Sequence, residues 1–147
     1  MMKTDLVVAG YIYYNNKVLL VHHKKLNLWL PVGGHIDPDE TPDDALHREV
    51  KEETGMDIEI LNQSNFPVNY PVKRNLALPF NVNVHPANDH DHCCFFYVCR
   101  ALNPEKLQIN EELNSFQWLS KEELGKNHVP DDVRVMALKG FEMIDNI

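Results

Sequence analysis

Residues 34–56 of the chain read GHIDPDETPDDALHREVKEETGM, and this stretch contains a clearly delimited helix. Thr41 is a residue type that caps helix N-termini, Pro42 suits the first helical position, and two aspartates follow in the first turn. Gly55 stands where the helix should end, because glycine readily adopts the left-handed conformation of a C-cap. The pattern predicts a helix over residues 42–54.

Three glutamates share one flank of this helix. Glu49, Glu52 and Glu53 stand at i, i+3 and i+4, which places them within an arc of roughly 100°. Like charges at this spacing repel and weaken a helix unless a cation neutralises them. A solvated acidic face is the simpler explanation, but other polar residues already fill the solvent side, opposite the apolar stripe of Leu46 and Val50. The flank therefore indicates a site for Mg²⁺ or Mn²⁺, which prefer oxygen ligands.

The same stretch fits a known signature at every position. The signature is a glycine, five residues, a glutamate, seven residues, Arg-Glu, an aliphatic residue, any residue, Glu-Glu, any residue, a glycine and an aliphatic residue. The matching residues are Gly34, Glu40, Arg48, Glu49, Val50, Glu52, Glu53, Gly55 and Met56. On these residues the sequence closely resembles the Nudix (MutT-like) hydrolase family.

The resemblance implies an α/β fold: an α/β/α sandwich with a mixed central sheet, a metal-binding loop–helix–loop and a C-terminal amphipathic helix. It also implies hydrolysis of a nucleoside diphosphate linked to another group. The metal ligands that it implies are the Gly33 carbonyl oxygen and the carboxylates of Glu49, Glu52 and Glu53. The residues that it implies as structural support are Gly34, Glu40, Arg48 and Gly55, with an ion pair between Glu40 and Arg48.

A carboxylate must also take the proton of the attacking water. In the family this base varies, so Glu53 and Glu52 are the first candidates, and Glu112 or its neighbour Glu111 is the candidate outside the signature. A plain acidic loop explains Glu111 and Glu112 equally well. Because an acidic protein repels a diphosphate, the reaction requires Mg²⁺ or Mn²⁺ between the carboxylates and the phosphates.

The rest of the chain alternates strands and helices, which is typical of one α/β domain over residues 1–147. Asn15-Asn16 predicts a tight hairpin turn, and Ser120 with Glu123 predicts a capping box. Residues 62–91 are rich in Asn, Pro and His and read mostly as loops. The predicted strands are 7–14, 18–22, 28–32, 57–61, 81–85, 93–101 and 115–119, of which 28–32 is an edge or irregular strand because it contains Pro31. An amphipathic helix over about 133–144 closes the chain.

The composition limits the partners. The 147 residues include 14 Lys and Arg against 22 Asp and Glu, a net charge of −8. This charge disfavours a nucleic-acid or anionic-membrane partner. No apolar run approaches the roughly 20 residues that span a bilayer. Cys93, Cys94 and Cys99 form no disulfide framework, so we expect reduced thiols and a cytoplasmic protein.

Several residues keep two interpretations. His90, His92 and Cys94 alternate and could bind zinc, but no second ligand pair accompanies them, which favours an ordinary strand. His90 or His92 could instead contact a substrate phosphate. The basic pairs Lys24-Lys25 and Lys73-Arg74 could do the same, although exposed cations are usually only solvated.

The sequence thus predicts a Mg²⁺- or Mn²⁺-dependent pyrophosphohydrolase acting on a small nucleoside diphosphate derivative, with ADP-ribose or a similar compound as the first choice. The alternative is a catalytically silent module that keeps the fold and binds a nucleotide. A homodimer that shares its loops is a further hypothesis.

Overall fold

The computed structural model describes residues 2–67, 71–126 and 128–145. A short 3₁₀ turn, Pro104–Lys106, precedes the last strand. The strands and helices in the described residues are, in chain order, β1 (Thr4–Tyr14), β2 (Lys17–His23), β3 (Leu28–Leu30), β4 (Val32–His35), α1 (Pro42–Thr54), β5 (Ile58–Ile60), β6 (Asn81–Ala87), β7 (His90–Ala101), β8 (Leu113–Leu119), α2 (Lys121–Leu124) and α3 (Asp131–Asp145).

The strands form one mixed sheet, as the family resemblance implied. Its main path is β3-β2-β1-β7-β5, while β4 pairs with β1, β6 with β7 and β8 with β2. The central strands β1 and β7 run parallel, from Thr4 opposite Asp91 to Tyr13 opposite Arg100. The other pairings are antiparallel. Strand β1 therefore lies beside β7, which is distant from it in sequence, along almost its whole length.

A helix packs on each face of the sheet. Because side chains alternate along a strand, β1 contributes to two separate cores. On one face, Val133, Ala137 and Phe141 of α3 are buried. On the other face, Leu46 and Val50 of α1 are buried. The layers are therefore helix, sheet and helix, and the predicted α/β sandwich is confirmed.

Local sequence signals are observed where they were predicted. Asn15 and Asn16 adopt positive φ angles of 52° and 63° in the β1–β2 turn. Thr41 Oγ1 accepts a hydrogen bond from the Asp44 amide, and Gly55 ends α1 with a φ of 73°. Ser120 and Glu123 form the capping box of α2. The predicted bounds of α1 are correct.

Two predicted elements differ from the structure. The predicted strand 28–32 is divided at Pro31, because β3 pairs with β2 whereas β4 leaves to pair with β1. Proline has no N–H for the ladder and suits such a break. Residues 81–101 also form a longer hairpin than predicted, turning at Asn88, whose φ is 59°. The strand β6 is largely exposed, so it lacks the apolar run that marks a buried strand.

Cys93, Cys94 and Cys99 are all free thiols, and Cys94 and Cys99 are buried. Within the described residues, no helix combines the length and apolar character needed to cross a membrane.

Candidate active site

The glutamate flank of α1 faces strand β4. Gly34 lies on β4 opposite Val8, and a Cβ atom at Gly34 would overlap the carboxylate of Glu49. A Cβ atom at Gly33 would overlap the backbone of Val8. The two glycines therefore allow the strand to approach both β1 and the glutamates closely.

Glu53 is the most unusual residue of the flank. It is 2% exposed, and neither of its carboxylate oxygens has a hydrogen-bond partner in the described part of the chain. The Nε2 atom of His23 lies 3.9 Å from Glu53 Oε2. Burial, with added repulsion from Glu49 and Glu112, raises the pKa of Glu53 to about 8. A buried carboxylate without partners is costly unless a proton or a cation neutralises it.

Glu49 and Glu52 extend this acidic flank toward solvent. Burial raises the pKa of Glu49, although the Nη1 atom of Arg48 donates to its Oε1 atom at 3.0 Å. Glu52 is exposed, with its Oε2 atom 3.4 Å from the same Nη1 atom. The three glutamates thus offer carboxylate oxygens at different depths below the surface. Carboxylate oxygens are the ligands that a hard divalent cation prefers. The residues present therefore fit Mg²⁺ or Mn²⁺.

Arg48 joins the loop before α1 to the helix. Its Nε and Nη2 atoms donate to the two Glu40 oxygens at 2.7 and 2.9 Å, a bidentate geometry. Its Nη2 atom also donates to the carbonyl oxygen of His35 at 3.0 Å. The hydrogen bond from Arg48, helped by the Asp37 amide, lowers the pKa of Glu40 to about 2. One guanidinium group thus holds the loop, β4 and the glutamate flank together.

The loop before β8 brings Glu112 to the same site. The side-chain amide of Asn110 donates to the carbonyl oxygen of Glu52 at 3.2 Å, and its Oδ1 atom accepts from the Glu112 amide at 3.0 Å. Glu112 lines the cleft described below, whereas Glu111 is not among the residues that line it. Of the two candidate bases outside the signature, the structure places only Glu112 beside Glu53.

A large cleft extends from the glutamates across the sheet. Its volume is about 1120 Å³. The floor includes Tyr11 and Phe96, and the N-terminal part of α3 supplies Asp131 and Asp132. Among the described residues, no lysine or arginine lines this cleft. Lys24, Lys25 and Lys73 are exposed away from the lining, and Arg74 pairs with Asp44 at 3.0 Å. The lining of the cleft therefore offers an anionic substrate no lysine or arginine within the described residues.

Three histidines that line the cleft, His35, His90 and His92, form with Asp5 a group that the sequence did not predict. Ligand atoms of Asp5, His35, His90 and His92 lie within 4.8 Å of one another. Burial and the neighbouring imidazoles of His35, His90 and His85 lower the pKa of His92. The alternation of His90 and His92 was the only local signal for this group. Cys94, considered with them above, is a buried core residue outside the group.

Comparison with known proteins identifies the family. A family model of the NUDIX domain matches residues 3–138. The chain belongs to the Nudix family. It is a hydrolase of this family, whose members hydrolyse pyrophosphate bonds in nucleotide derivatives. No curated protein matches the sequence.

Solved structures agree with this assignment. A Nudix-family hydrolase from Clostridium perfringens is 27% identical, with a TM-score of 0.82 over 97% of this chain and 99% of the other. A MutT protein from Methanosarcina mazei Go1 is 18% identical, with a TM-score of 0.71 over 99% of this chain and 95% of the other. An Ap4A hydrolase from C. elegans is 17% identical, with a TM-score of 0.73 over the full length of both chains. The last two likenesses support the shared fold.

Substituting Gly34 by alanine is expected to weaken Mn²⁺ binding roughly tenfold, because the new methyl group displaces the Glu49 carboxylate from its position beside Arg48. Calorimetric titration with Mn²⁺ measures the effect. Gly125→Ala is the matched control, since a Cβ atom there meets only an ordinary contact of 3.7 Å with the Glu122 carbonyl oxygen. Equal Mn²⁺ affinity in both variants would contradict the close approach at Gly34.

The metal-free protein is expected to lose stability as the pH rises from about 4.5 to about 8. The pKa of Glu53 rises from 4.5 to about 8 on folding, so the folded chain binds one more proton than the unfolded chain within this window. Stability therefore falls through the window and levels off above it. Urea denaturation in EDTA should show that Glu53→Gln gains on the order of 3 kcal/mol over the wild type at pH 8 and nothing near pH 4. A pH-independent difference between the two proteins would refute the buried, protonated Glu53.

Proposed function

We propose that this Nudix hydrolase is a Mg²⁺- or Mn²⁺-dependent pyrophosphohydrolase that cleaves a nucleoside diphosphate linked to a second moiety by water attack at phosphorus. The observation that carries the proposal is the buried carboxylate of Glu53, which lines a large cleft and whose two oxygens lack hydrogen-bond partners in the described residues. A module that only binds a nucleotide needs cation ligands but no carboxylate that also accepts the proton of water.

The residues that would hold the cation are Glu49, Glu52 and Glu53, with the carbonyl oxygen of Gly33. When bound, Mg²⁺ or Mn²⁺ supplies charge neutralisation for the diphosphate and activation of water. Arg48 would keep Glu49 and Glu52 oriented while its pairing with Glu40 fixes the loop. Gly34 gives the space for Glu49, and the left-handed cap at Gly55 ends the helix directly after the flank.

The base that takes the proton of water is one of the glutamates at this end of the cleft. Glu53 is buried, and its oxygens have no hydrogen-bond partner among the residues that the structure describes, so they are free to accept a proton once the group is ionised. Glu52 lines the cleft from the exposed side of the flank. Glu112 approaches from a separate loop. Proton acceptance by Glu53 or Glu52 remains our first proposal, and Glu112 is tested below.

The shape and polarity of the cleft favour a substrate with sugar hydroxyls, of which ADP-ribose is the first choice. The volume of about 1120 Å³ suits a ligand larger than a single nucleotide, since small-molecule pockets span roughly 300–1000 Å³. The carboxylates of Asp131 and Asp132 repel phosphates but accept hydrogen bonds from hydroxyl groups. The phosphates would then lie at the glutamate end, and a base or ribose would cover Tyr11 and Phe96.

The proposal also includes the cellular location, the partners and the oligomeric state of the enzyme. One domain spans residues 1–147 and acts in the cytoplasm, where its three free thiols stay reduced. Its partner is a small nucleotide derivative, and neither a nucleic acid nor a membrane. A homodimer that shares its loops would be ruled out by a monomeric mass in light scattering.

The test is product release from ADP-ribose, a nucleotide sugar, a dinucleoside polyphosphate and a nucleoside triphosphate, each with Mg²⁺ or Mn²⁺. We expect turnover of one sugar-bearing diphosphate, lost in EDTA and restored by Mn²⁺. Tight nucleotide binding without any product from folded, metal-supplied protein would instead establish the silent binding module.

Substituting Glu112 by glutamine decides between the candidate bases. We expect kcat to fall less than about tenfold, because Glu112 lies on a separate loop and Glu53 and Glu52 remain. Steady-state kinetics over pH 6–9 measure this, with Glu111→Gln as the control on the same loop. A loss of about 10²-fold or more in kcat, with unchanged Mn²⁺ affinity, would transfer the role of base to Glu112.

A further inference from the structure

The register of four strands brings five polar side chains to one face of the sheet. Asp5 on β1 lies opposite His92 on β7, and His92 lies opposite His85 on β6. His90, two residues before His92, points to the same side. His35 on β4 pairs with Val7, which shares its face with Asp5. Residues far apart in sequence therefore converge beside the cleft.

The distances within this group match a metal coordination shell. Asp5 Oδ2 lies 3.3 Å from His35 Nε2 and 3.4 Å from His90 Nε2. The Nε2 atoms of His90 and His92 are 3.0 Å apart. A tetrahedral ion with bonds of about 2.0–2.1 Å holds its ligand atoms about 3.3 Å apart. Three of the separations in the group are already close to that value, and all four ligand atoms lie within 4.8 Å of one another.

A second layer of contacts orients the ligand atoms. The Nδ1 atom of His90 lies 2.9 Å from Asp89 Oδ1, so Asp89 accepts a hydrogen bond from it and leaves the Nε2 lone pair aimed at the group. Lys3 Nζ lies 3.3 Å from Asp5 Oδ1, which leaves Oδ2 for the histidines. A lone pair on His90 that faces a carboxylate oxygen is repulsive unless a proton or cation lies between them.

We propose that Asp5, His35, His90 and His92 bind a divalent cation of the zinc class at a site separate from the glutamate flank. Three imidazole nitrogens and one carboxylate suit Zn²⁺, whereas Mg²⁺ prefers an all-oxygen shell. The side chains of Asp5 and His90 are 19% and 25% exposed and that of His35 is 57% exposed, so the ion would be shielded on one side and open to water on the other. The site therefore selects a different metal from the one at Glu53.

The bound ion joins three parts of the fold that form the cleft. It links the start of β1, the start of β7 and the end of β4, where the carbonyl oxygen of His35 accepts from Arg48. With only one carboxylate ligand it keeps a net positive charge. It therefore adds positive charge to a cleft that no lysine or arginine lines within the described residues.

The test is calorimetric titration of EDTA-stripped full-length protein with Zn²⁺ in millimolar Mg²⁺, which occupies the glutamate site. The wild type should bind one Zn²⁺ with submicromolar affinity, and the His90→Gln/His92→Gln double variant should bind at least about 100-fold more weakly. His85→Gln, a neighbouring histidine outside the four, and Glu53→Gln should bind as the wild type does. Circular dichroism checks that each variant is folded.

Two further measurements do not depend on turnover. Zn²⁺ should raise the Tm of the wild type and of Glu53→Gln, but not that of the double variant. Co²⁺ in the same site should give the intense visible absorption of a four-coordinate ion. The proposal is overturned if the folded wild type binds no Zn²⁺, if the double variant keeps wild-type affinity, or if Glu53→Gln alone abolishes binding. Failure of every diphosphate to react would leave these outcomes unaffected.

Discussion

Replacing Glu53 by glutamine is expected to lower kcat on the cleaved diphosphate by about 10²–10⁴-fold. Glutamine keeps the shape of the side chain but offers one neutral carbonyl oxygen where the wild type offers two oxygens without hydrogen-bond partners in the described residues. The variant loses both a cation ligand and a candidate base. Steady-state kinetics in saturating Mn²⁺, together with calorimetric Mn²⁺ affinity, measure the two losses separately.

The matched control is Glu59→Gln on β5. Glu59 is exposed, pairs with Arg100 at 2.8 Å and does not line the cleft. The Glu59→Gln substitution should leave kcat within about twofold of the wild-type value. Glu53→Gln should also be more stable than the wild type in EDTA at pH 8. Its loss of turnover would then not result from a loss of folding. Full turnover by Glu53→Gln would remove this residue from the reaction.

Replacing Arg48 by alanine is expected to cost about 2–3 kcal/mol of stability and to weaken Mn²⁺ binding by an order of magnitude or more. Arg48 donates to Glu40, Glu49 and the His35 carbonyl oxygen. Its loss leaves the Glu40 and Glu49 carboxylates, each 16% exposed, without the guanidinium group that pairs with both. Urea denaturation and Mn²⁺ titration measure the two effects.

Two variants sharpen this experiment. Arg48→Lys keeps the charge but not the bidentate fork, so it should recover less than half of the lost stability. Arg100→Ala removes an arginine from an exposed pair, with side chains 45% and 53% exposed, and should cost no more than about 1 kcal/mol. If Arg48→Ala costs no more than Arg100→Ala, the guanidinium group does not hold the site together.

Much of the fold could be predicted because its signals are local. The cap at Thr41, the proline at position 42 and the left-handed Gly55 delimit α1 within a single stretch of sequence. The Asn15-Asn16 turn and the apolar run of β7 are equally local. The glutamate flank follows from helical periodicity alone. For these features, propensity and tertiary structure agree.

The features that could not be predicted depend on strand register. Pro31 indicates an edge or irregular strand, but it does not indicate that the chain changes its pairing partner there, because the change is set by pairing with β1. The grouping of Asp5 with His92 requires the parallel β1–β7 alignment across almost 90 residues. The helical pattern places Glu52 and Glu53 on the same flank, yet Glu52 is exposed and Glu53 is buried. The burial of Glu53 therefore depends on the contact between α1 and β4, which the helical pattern does not contain.

The most direct test of the account is anomalous diffraction at the manganese edge from crystals grown with Mn²⁺ and a non-hydrolysable ADP-ribose analogue. We expect a peak about 2.1–2.3 Å from a carboxylate oxygen of Glu53, shared with Glu49 and with a phosphate oxygen of the analogue. Manganese bound elsewhere in the cleft, with Glu53 still buried and without contact to the ion, would contradict the assignment of the active site.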